Sequence, residues 1–455
     1  MTIAMFPRNA AADLVQWRDA DVRKPLVIRG ARQVGKTSLV RAFAAAHYRR
    51  FAELNLERSA HADIFRRGLS VGETVQSIVL ECRVPPGPEP LLLFLDEIQA
   101  VPEAVALLRF FHEERPDIHL VAAGSLLEAA MAAAAISFPV GRVQFLYLRP
   151  MTFMEFLSAT GDAGLRDALC QVPAPAPAHD LLLKRFHQYA LVGGMPEAVA
   201  RYVDSQGDLT EVNQVYADLF AAFRDDIPKY GRNETARRVL SHCLDSAPYE
   251  AGSRVTFHGF GGSTYRSREV GEALRALERA MLLELVYPTV AFQEPLMPEP
   301  RKSPRLQFLD VGLVNHRAGL QRQLIGMRDL TDLHRGRLVE QVIGQELKAT
   351  AVRTDVSLRF WVRDKAQSQA ELDFLLQTPA GVIPVEAKSG AAGKLRSLHQ
   401  FMARSQAPLA VRLYAGRPDC HDVANANADY RLVNIPYYAA ALIPRYVTWA
   451  RALGT

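Results

Sequence analysis

The sequence predicts an α/β protein of several units: a parallel sheet carrying a glycine-rich phosphate loop, a helical segment, a helix-turn-helix and a second α/β unit toward the C-terminus. Three observations carry this reading. Short apolar runs alternate with helical patterns over residues 26–148, as parallel strands covered on both faces require. The octapeptide Gly30-Ala31-Arg32-Gln33-Val34-Gly35-Lys36-Thr37 lies between the first of these runs and a helical stretch. With 455 residues the chain also exceeds what one core usually supports, and at roughly 100 to 200 residues per domain it suggests three compact units.

Composition narrows the class. Apolar residues make up 49% and charged residues 23% of the chain, the mix of a globular protein rather than a disordered or fibrous one. Cys82, Cys170, Cys243 and Cys420 are far apart, with no second Cys or His at metal-ligand spacing, so neither a zinc site nor a disulfide framework is expected and a reducing cytoplasm fits. Residues 1–8 lack a charged-then-apolar signal pattern, and the longest apolar run, Ala129 to Phe138, is too short to span a bilayer. No membrane association is expected. The net charge is +5. Residues 331–455 hold 16 Lys and Arg against 11 Asp and Glu, an excess equal to that of the whole chain and relevant if nearby motifs engage a polyanion.

In chain order, Leu26 to Arg29 reads as a strand ending in the glycine loop, and Ser38 to His47 as the following helix. Further strands are expected at Phe51–Leu56, Leu91–Leu95, His119–Ala123 and Val143–Leu148. Prolines 173, 175 and 177 lack amide donors, so the stretch Val172 to Ala178 predicts an exposed, semi-rigid link that closes the first unit, residues 1–171. Amphipathic helices at Leu181–Leu191 and Met195–Val203, hinged at Gly193-Gly194, read as a helical lid within 172–234. Over 235–330, helix Val239–Leu244, a glycine-rich turn at 259–262, helix Val270–Leu283 and a short strand at Leu285–Tyr287 follow the order of a winged helix-turn-helix. The last unit, 331–455, opens with helix Leu338–Ala349 and continues with strands at Leu358–Val362, Glu371–Leu376 and Val382–Ala387.

The octapeptide fits the Walker A pattern at every required position, and its flanks are the strand and helix that the mechanism needs. Its glycines let backbone N–H groups turn inward around phosphates, and the helix beginning near Lys36 presents its positive end to them. The loop from Gly30 to Ser38 is therefore the expected ATP site, with Lys36 on the β- and γ-phosphates and Thr37 on Mg2+. Leu91 to Leu95 is an apolar strand that ends in Asp96-Glu97. Asp96 is placed to hold the magnesium and Glu97 to act as base toward water, worth on the order of 10² to 10⁴ in rate. Ser125, at the end of the next strand, is a candidate γ-phosphate contact.

Together these residues resemble the prokaryotic AAA-type ATP-binding proteins that carry a C-terminal domain of formerly unknown function. The resemblance rests on residues 30–37, Leu95-Asp96-Glu97-Ile98-Gln99, Gly124-Ser125, Arg149-Pro150-Met151-Thr152-Phe153 and Gly193-Gly194-Met195-Pro196-Glu197. It continues at Leu309-Asp310-Val311-Gly312-Leu313, Trp361, Glu371-Leu372-Asp373-Phe374 and Glu386-Ala387-Lys388-Ser389-Gly390, covering nearly the whole chain. It implies an AAA module, a winged-helix segment and a C-terminal domain of restriction-endonuclease-like fold. Such ATPases place an arginine just before the fifth strand to complete a neighbouring subunit's site; Arg142 stands there, with Arg149 in reserve, and a finger of this kind is worth about 10³ to 10⁵ in rate. Self-association follows if it acts in trans, a hexamer being one form.

In the last unit Asp373 and Glu386 fall on adjacent expected strands, and Lys388, two residues on, shares the face of Glu386. Carboxylates on one face are costly unless a cation lies between them, and a nearby lysine can activate water for attack on phosphorus. Glu340 on the preceding helix supplies a third carboxylate. This order resembles the PD-(D/E)xK nucleases and predicts a Mg2+ or Mn2+ site at Glu340, Asp373 and Glu386 with Lys388 beside it. Gln400 is a further polar residue on the following helix. Tyr265-Arg266-Ser267-Arg268 opens the helix that would enter a DNA groove, with arginines suited to phosphates. The expected function is a cytoplasmic, oligomeric AAA-type ATPase acting on DNA with metal-dependent nuclease activity, RNA not being excluded as substrate. The alternative is an ATP-driven switch that binds a protein partner and keeps its nuclease-like domain catalytically idle.

Overall fold

A strand with no polar position needs apolar partners on both sides, and Leu91–Asp96 has them. In the computed structural model, which describes residues 6–124, 127, 139, 141–231, 233–319, 337–364, 370–378, 381–387, 395–425 and 428–453, Leu92 and Phe94 enter one apolar cluster while Leu91, Leu93 and Leu95 enter another. This alternation places them on opposite faces of a sheet. The sheet contains β1 (Leu26–Arg29), β2 (Arg50–Asn55), β3 (Leu91–Asp96), β4 (His119–Gly124) and β5 (Gln144–Tyr147), in the order β2-β3-β4-β1-β5. Every neighbouring pair is parallel. Helices α1 (Ala10–Arg18) and α2 (Lys36–His47) cover the Phe94 face. Helices α3 (Ser59–Arg66), α4 (Val71–Glu81) and α5 (Pro102–Glu114) cover the other. All five expected strands are present to within a residue at each end. Ser125 and the apolar run 129–138 lie outside the described residues.

The next segment holds α6 (Phe153–Ala159), α7 (Ala163–Leu169), α8 (His179–Val192), α9 (Pro196–Asp204) and α10 (Leu209–Tyr230). Two expectations need correction here. The proline stretch is not simply an exposed link, because Ala174 and Ala178 are buried and the Ala174 N–H donates to the Tyr446 hydroxyl at 3.2 Å. Small residues between the prolines let this segment, which closes in a 3-10 turn at Ala176–Ala178, dock against the end of the chain. Nor is Gly193-Gly194 an open hinge. A Cβ on Gly193 would overlap the Asp310 carboxylate and the Tyr216 hydroxyl, and one on Gly194 the Met151 carbonyl. The glycines are there for close approach, and Gly193 also takes φ +87°.

Two helices, α11 (Glu234–Ser246) and α12 (Ser267–Arg279), then precede β6 (Leu283–Val286), β7 (Pro288–Thr289) and β8 (Arg305–Phe308). β6 and β8 pair antiparallel. The second helix stops four residues before the expected Leu283, since Met281 turns to φ +60° and cannot continue it.

After α13 (Val311–Ala318) come α14 (Arg337–Ala349), β9 (Phe360–Val362), β10 (Glu371–Leu372), β11 (Phe374–Thr378), β12 (Gly381–Ala387), α15 (Arg396–Ser405), β13 (Leu409–Tyr414), β14 (Asp419–Asn425), β15 (Ala428–Pro436) and α16 (Ile443–Ala452). Their main sheet runs β11-β12-β13-β15-β14, with β12, β13 and β15 parallel and both edge strands antiparallel. The strand expected over 371–376 breaks at Asp373. One apolar cluster extends from Leu14 in α1 to Ala450 in α16, so the expected units share a core. Among the described residues no helix is long and apolar enough to cross a membrane.

Candidate functional site

The phosphate loop leaves the carboxyl end of β1, the edge at which parallel α/β sheets hold their ligands. Gly30 is required there because a Cβ would overlap the Leu148 carbonyl oxygen. Gly35 sits at φ +94° and caps α2, whose first residue is Lys36. Lys36 is buried, and its Nζ donates to the Gly30 and Ala31 carbonyls at 2.9 and 2.8 Å. Burial lowers its pKa to about 8, against the pull of Glu97 and Asp96. The Thr37 hydroxyl donates to Asp96 Oδ2 at 2.8 Å, so the two residues expected around magnesium already meet at the ends of α2 and β3. Burial raises the Asp96 pKa, and Thr37 opposes it.

Glu97 follows at φ +51° and accepts from Gln99 Nε2 at 2.5 Å, while Gln33 in the loop takes φ +64°. Left-handed backbone at non-glycine residues costs free energy and gathers at functional sites. Ser38 is exposed in the first turn of α2, and Ala31 and Val34 are buried beneath the loop. This donor set, an ammonium bonded to loop carbonyls beside a hydroxyl-carboxylate pair, fits a magnesium-nucleotide phosphate chain.

Two arginines brace the loop, Arg8 from outside the expected site and Arg32 from within it. Arg8 donates Nη1 to the Val34 carbonyl at 2.8 Å and Nη2 to the Arg149 carbonyl at 2.6 Å, and pairs through Nε with Glu155 at 3.1 Å. Arg32 pairs with Asp226 near the end of α10 at 2.7 Å. Arg142 precedes β5, whose first residue aligns with the first residue of β1, so it stands at the sheet edge opposite the loop. Its Nε lies 2.8 Å from Glu113 Oε1, away from this chain's own loop. Arg149 pairs with Asp355 at 2.9 Å.

The C-terminal acids do converge, but around an arginine. Arg305, 5% exposed on β8, places Nη1 2.9 Å from Glu340 Oε2, pairs through Nη2 with Glu371, and lies 3.9 Å from Asp373 Oδ1. It also donates to the Asp373 carbonyl at 2.9 Å and lies over the Phe360 ring at 4.6 Å. Asp373 Oδ2 accepts from the Ala387 N–H at 2.8 Å. Glu386 is buried and aligned with Arg412 of β13. Burial opposes the Arg305 charge, but Glu340, Glu371 and Asp373 outweigh it and hold the guanidinium protonated. Burial also pushes the Glu340 carboxyl upward, and Arg305 opposes that shift.

Two members of the expected metal set, Glu340 and Asp373, are thus bridged by an internal cation. Among the described residues no group of three or more His, Cys, Asp or Glu is arranged to hold a metal ion, and the donor set does not fit a divalent cation while Arg305 occupies it. Lys388 lies outside the described residues. Gln400 lines a separate groove with Trp361, Arg363 and Arg404. Arg305 was missed as a site residue because a single arginine in a short strand reads as an exposed side chain, whereas Arg305 to Phe308 are all buried in the structure.

Residues 22–157 match a family described as an AAA domain, which with the loop geometry supports an AAA-type ATP-binding module. Residues 183–324 match a domain of unknown function (DUF8612), and 335–431 another (DUF4143). No curated protein matches the chain. Among solved structures it is similar to the Walker-type ATPase PABY2304 of Pyrococcus abyssi at 14% identity, covering 69% of this chain and 96% of that one with a TM-score of 0.45. The Aeropyrum pernix Orc1 protein in complex with DNA is similar at 16% identity, with 70% and 94% covered and a TM-score of 0.30. The Thermotoga maritima RuvB Holliday junction branch migration motor is similar at 15% identity, with 62% and 90% covered and a TM-score of 0.28.

Proposed function

We propose that the chain is a cytoplasmic, self-associating AAA-type ATPase that couples ATP hydrolysis to the handling of DNA. The observation that carries the reading is the meeting of Lys36, Thr37, Asp96 and Glu97 at the carboxyl edge of the sheet, with Thr37 and Asp96 in direct contact. Loop N–H groups and the start of α2 hold the phosphates. Lys36 exchanges the Gly30 and Ala31 carbonyls for phosphate oxygens. Thr37 and Asp96 would hold Mg2+, which when bound neutralises phosphate charge. Glu97 orients the attacking water and accepts its proton. Arg142 completes a neighbouring subunit's site once it leaves Glu113.

The order α11, turn, α12, β6 and β8 supports a winged helix, and Arg266 and Arg268 are exposed at the start of α12, where they suit phosphate contacts. In the last unit, α14, the β10–β12 strands, α15 and β13 follow one another as in a restriction-endonuclease-like domain, which supports that fold; the nuclease reading at Glu340, Asp373, Glu386 and Lys388 requires Arg305 to leave the acids. The position of Arg305 among those acids favours the second reading: an ATP-driven switch that binds a protein partner, its nuclease-like domain idle.

The ATP site is tested by Lys36→Ala, expected to lose nucleotide binding, and Glu97→Gln, expected to bind ATP without turnover. Turnover kept by Glu97→Gln refutes the base. The nuclease reading is tested with Mg2+ or Mn2+ on branched, single-stranded and duplex DNA, beside Glu386→Ala and Lys388→Ala. Cleavage that survives both changes sinks that site, and no DNA binding even at low salt favours the switch.

A further inference from the structure

Arg32 stands within the phosphate loop, between Ala31 and Gln33, yet its charge is spent on another element. Nη1 lies 2.7 Å from both carboxylate oxygens of Asp226, a buried residue in the last turns of α10. The Asp226 hydrogen bond is the chief cause that raises the guanidinium pKa above its ordinary value, with Glu97 and Glu57 adding to it. Asp226 has a second cation: Lys229 Nζ is 2.8 Å from Oδ1. The buried carboxylate therefore stays compensated when Arg32 departs, so exchange avoids the heavy cost of leaving a buried charge alone. The Arg32 side chain is 41% exposed, which leaves room to turn.

A nucleoside triphosphate entering the loop brings several negative charges beside Arg32, and guanidinium-phosphate hydrogen bonds are about twice as strong as neutral ones. The same helix α10 carries Tyr216, whose one hydroxyl hydrogen is shared between the Val192 carbonyl at 2.5 Å and Asp310 at 2.9 Å, so α10 also meets the C-terminal half.

Resting on the ATP-binding reading above, we propose that Arg32 is a terminal-phosphate-responsive residue: without nucleotide it ties the phosphate loop to Asp226 of α10, and with a nucleoside triphosphate bound it turns to the γ-phosphate and releases Asp226 to Lys229. The diphosphate, lacking that phosphate, leaves the tie in place.

The test measures Kd for ATPγS and for ADP with Mg2+, by competition against a fluorescent nucleotide, in wild type, Lys36→Ala, Arg32→Met, Arg32→Lys and Asp226→Asn. Arg32→Met is expected to weaken ATPγS about tenfold and to leave ADP within about twofold, with Arg32→Lys in between. Asp226→Asn removes the competitor and is expected to tighten ATPγS severalfold. A merely structural tie would make both Arg32→Met and Asp226→Asn weaken both nucleotides. Equal losses for ATPγS and ADP in Arg32→Met, or weaker ATPγS binding in Asp226→Asn, overturns the Arg32 assignment while ATP binding stands. Wild type that binds neither nucleotide overturns both.

Discussion

Arg305 Nη1 lies 2.9 Å from Glu340 Oε2, so an arginine of β8 is the counter-charge of an acid in the first turn of α14. Removing one partner of such a pair leaves the other buried and uncompensated, at a cost of about 3–5 kcal/mol. Arg305→Met should lose stability in that range, as Glu340, Glu371 and Asp373 all face the vacated site. Adding Glu340→Gln should recover part of the loss. Urea denaturation of both single variants and the double variant measures the coupling; strict additivity would mean that the two side chains do not stabilise each other.

Nucleotide binding should weaken in alkaline solution. Burial sets the Lys36 pKa at about 8, so the ammonium that phosphate needs is present below that pH and lost above it. The apparent Kd for ADP should stay level from pH 6 to 7.5 and rise roughly tenfold by pH 9. A flat profile to pH 9 would show that Lys36 keeps its proton in the free site.

Glu346 on α14 accepts from the Phe153 N–H at 2.9 Å and the Tyr189 hydroxyl at 2.7 Å, which joins the C-terminal half to α6 and α8. Burial raises its pKa from 4.5 to about 7, against those two hydrogen bonds. Between these values the native chain holds a proton that the unfolded chain has lost, so stability falls as pH rises from 4.5 through 7. The loss is about 3 kcal/mol. Glu346→Gln keeps an acceptor oxygen without the charge, and its melting temperature should vary less with pH than wild type over that window. An unchanged pH slope would place the titration elsewhere.

Much of the fold was legible because periodicity is a local signal. Leu91 to Leu95 announces a strand buried on both faces, and Gly30 to Thr37 announces the turn that follows β1. What the sequence hid were pairs that only the tertiary fold brings together. Arg32 is far along the chain from Asp226, and Arg8 from Glu155; no spacing rule joins them. The acids Glu340, Asp373 and Glu386 were found as a set, but the cation that sits between Glu340 and Asp373 comes from β8, a strand outside the unit they belong to. The glycines at 193 and 194 read as a hinge because flexibility and close approach leave the same mark in a sequence.

Asp310 shows how tightly that close approach is specified, and it yields the last prediction. Its Oδ2 accepts from the Gly194 N–H at 2.6 Å and Gln345 Nε2 at 3.0 Å. Its Oδ1 accepts from the Tyr216 hydroxyl at 2.9 Å and the N–H groups of Gly312 and Leu313 at 3.0 and 3.3 Å. Five donors thus converge on two oxygens in a residue with no exposed surface. Asp310→Asn is nearly isosteric, yet its NH2 group must face donors whichever way it is turned. It forfeits charge-assisted bonds on one side and leaves buried N–H groups unsatisfied, for a loss of about 3 kcal/mol. Chemical denaturation should register that loss although side-chain volume is unchanged. A near-neutral Asp310→Asn would mean that the carboxylate is already protonated and donating, which requires one of the five donors to be turned away from it.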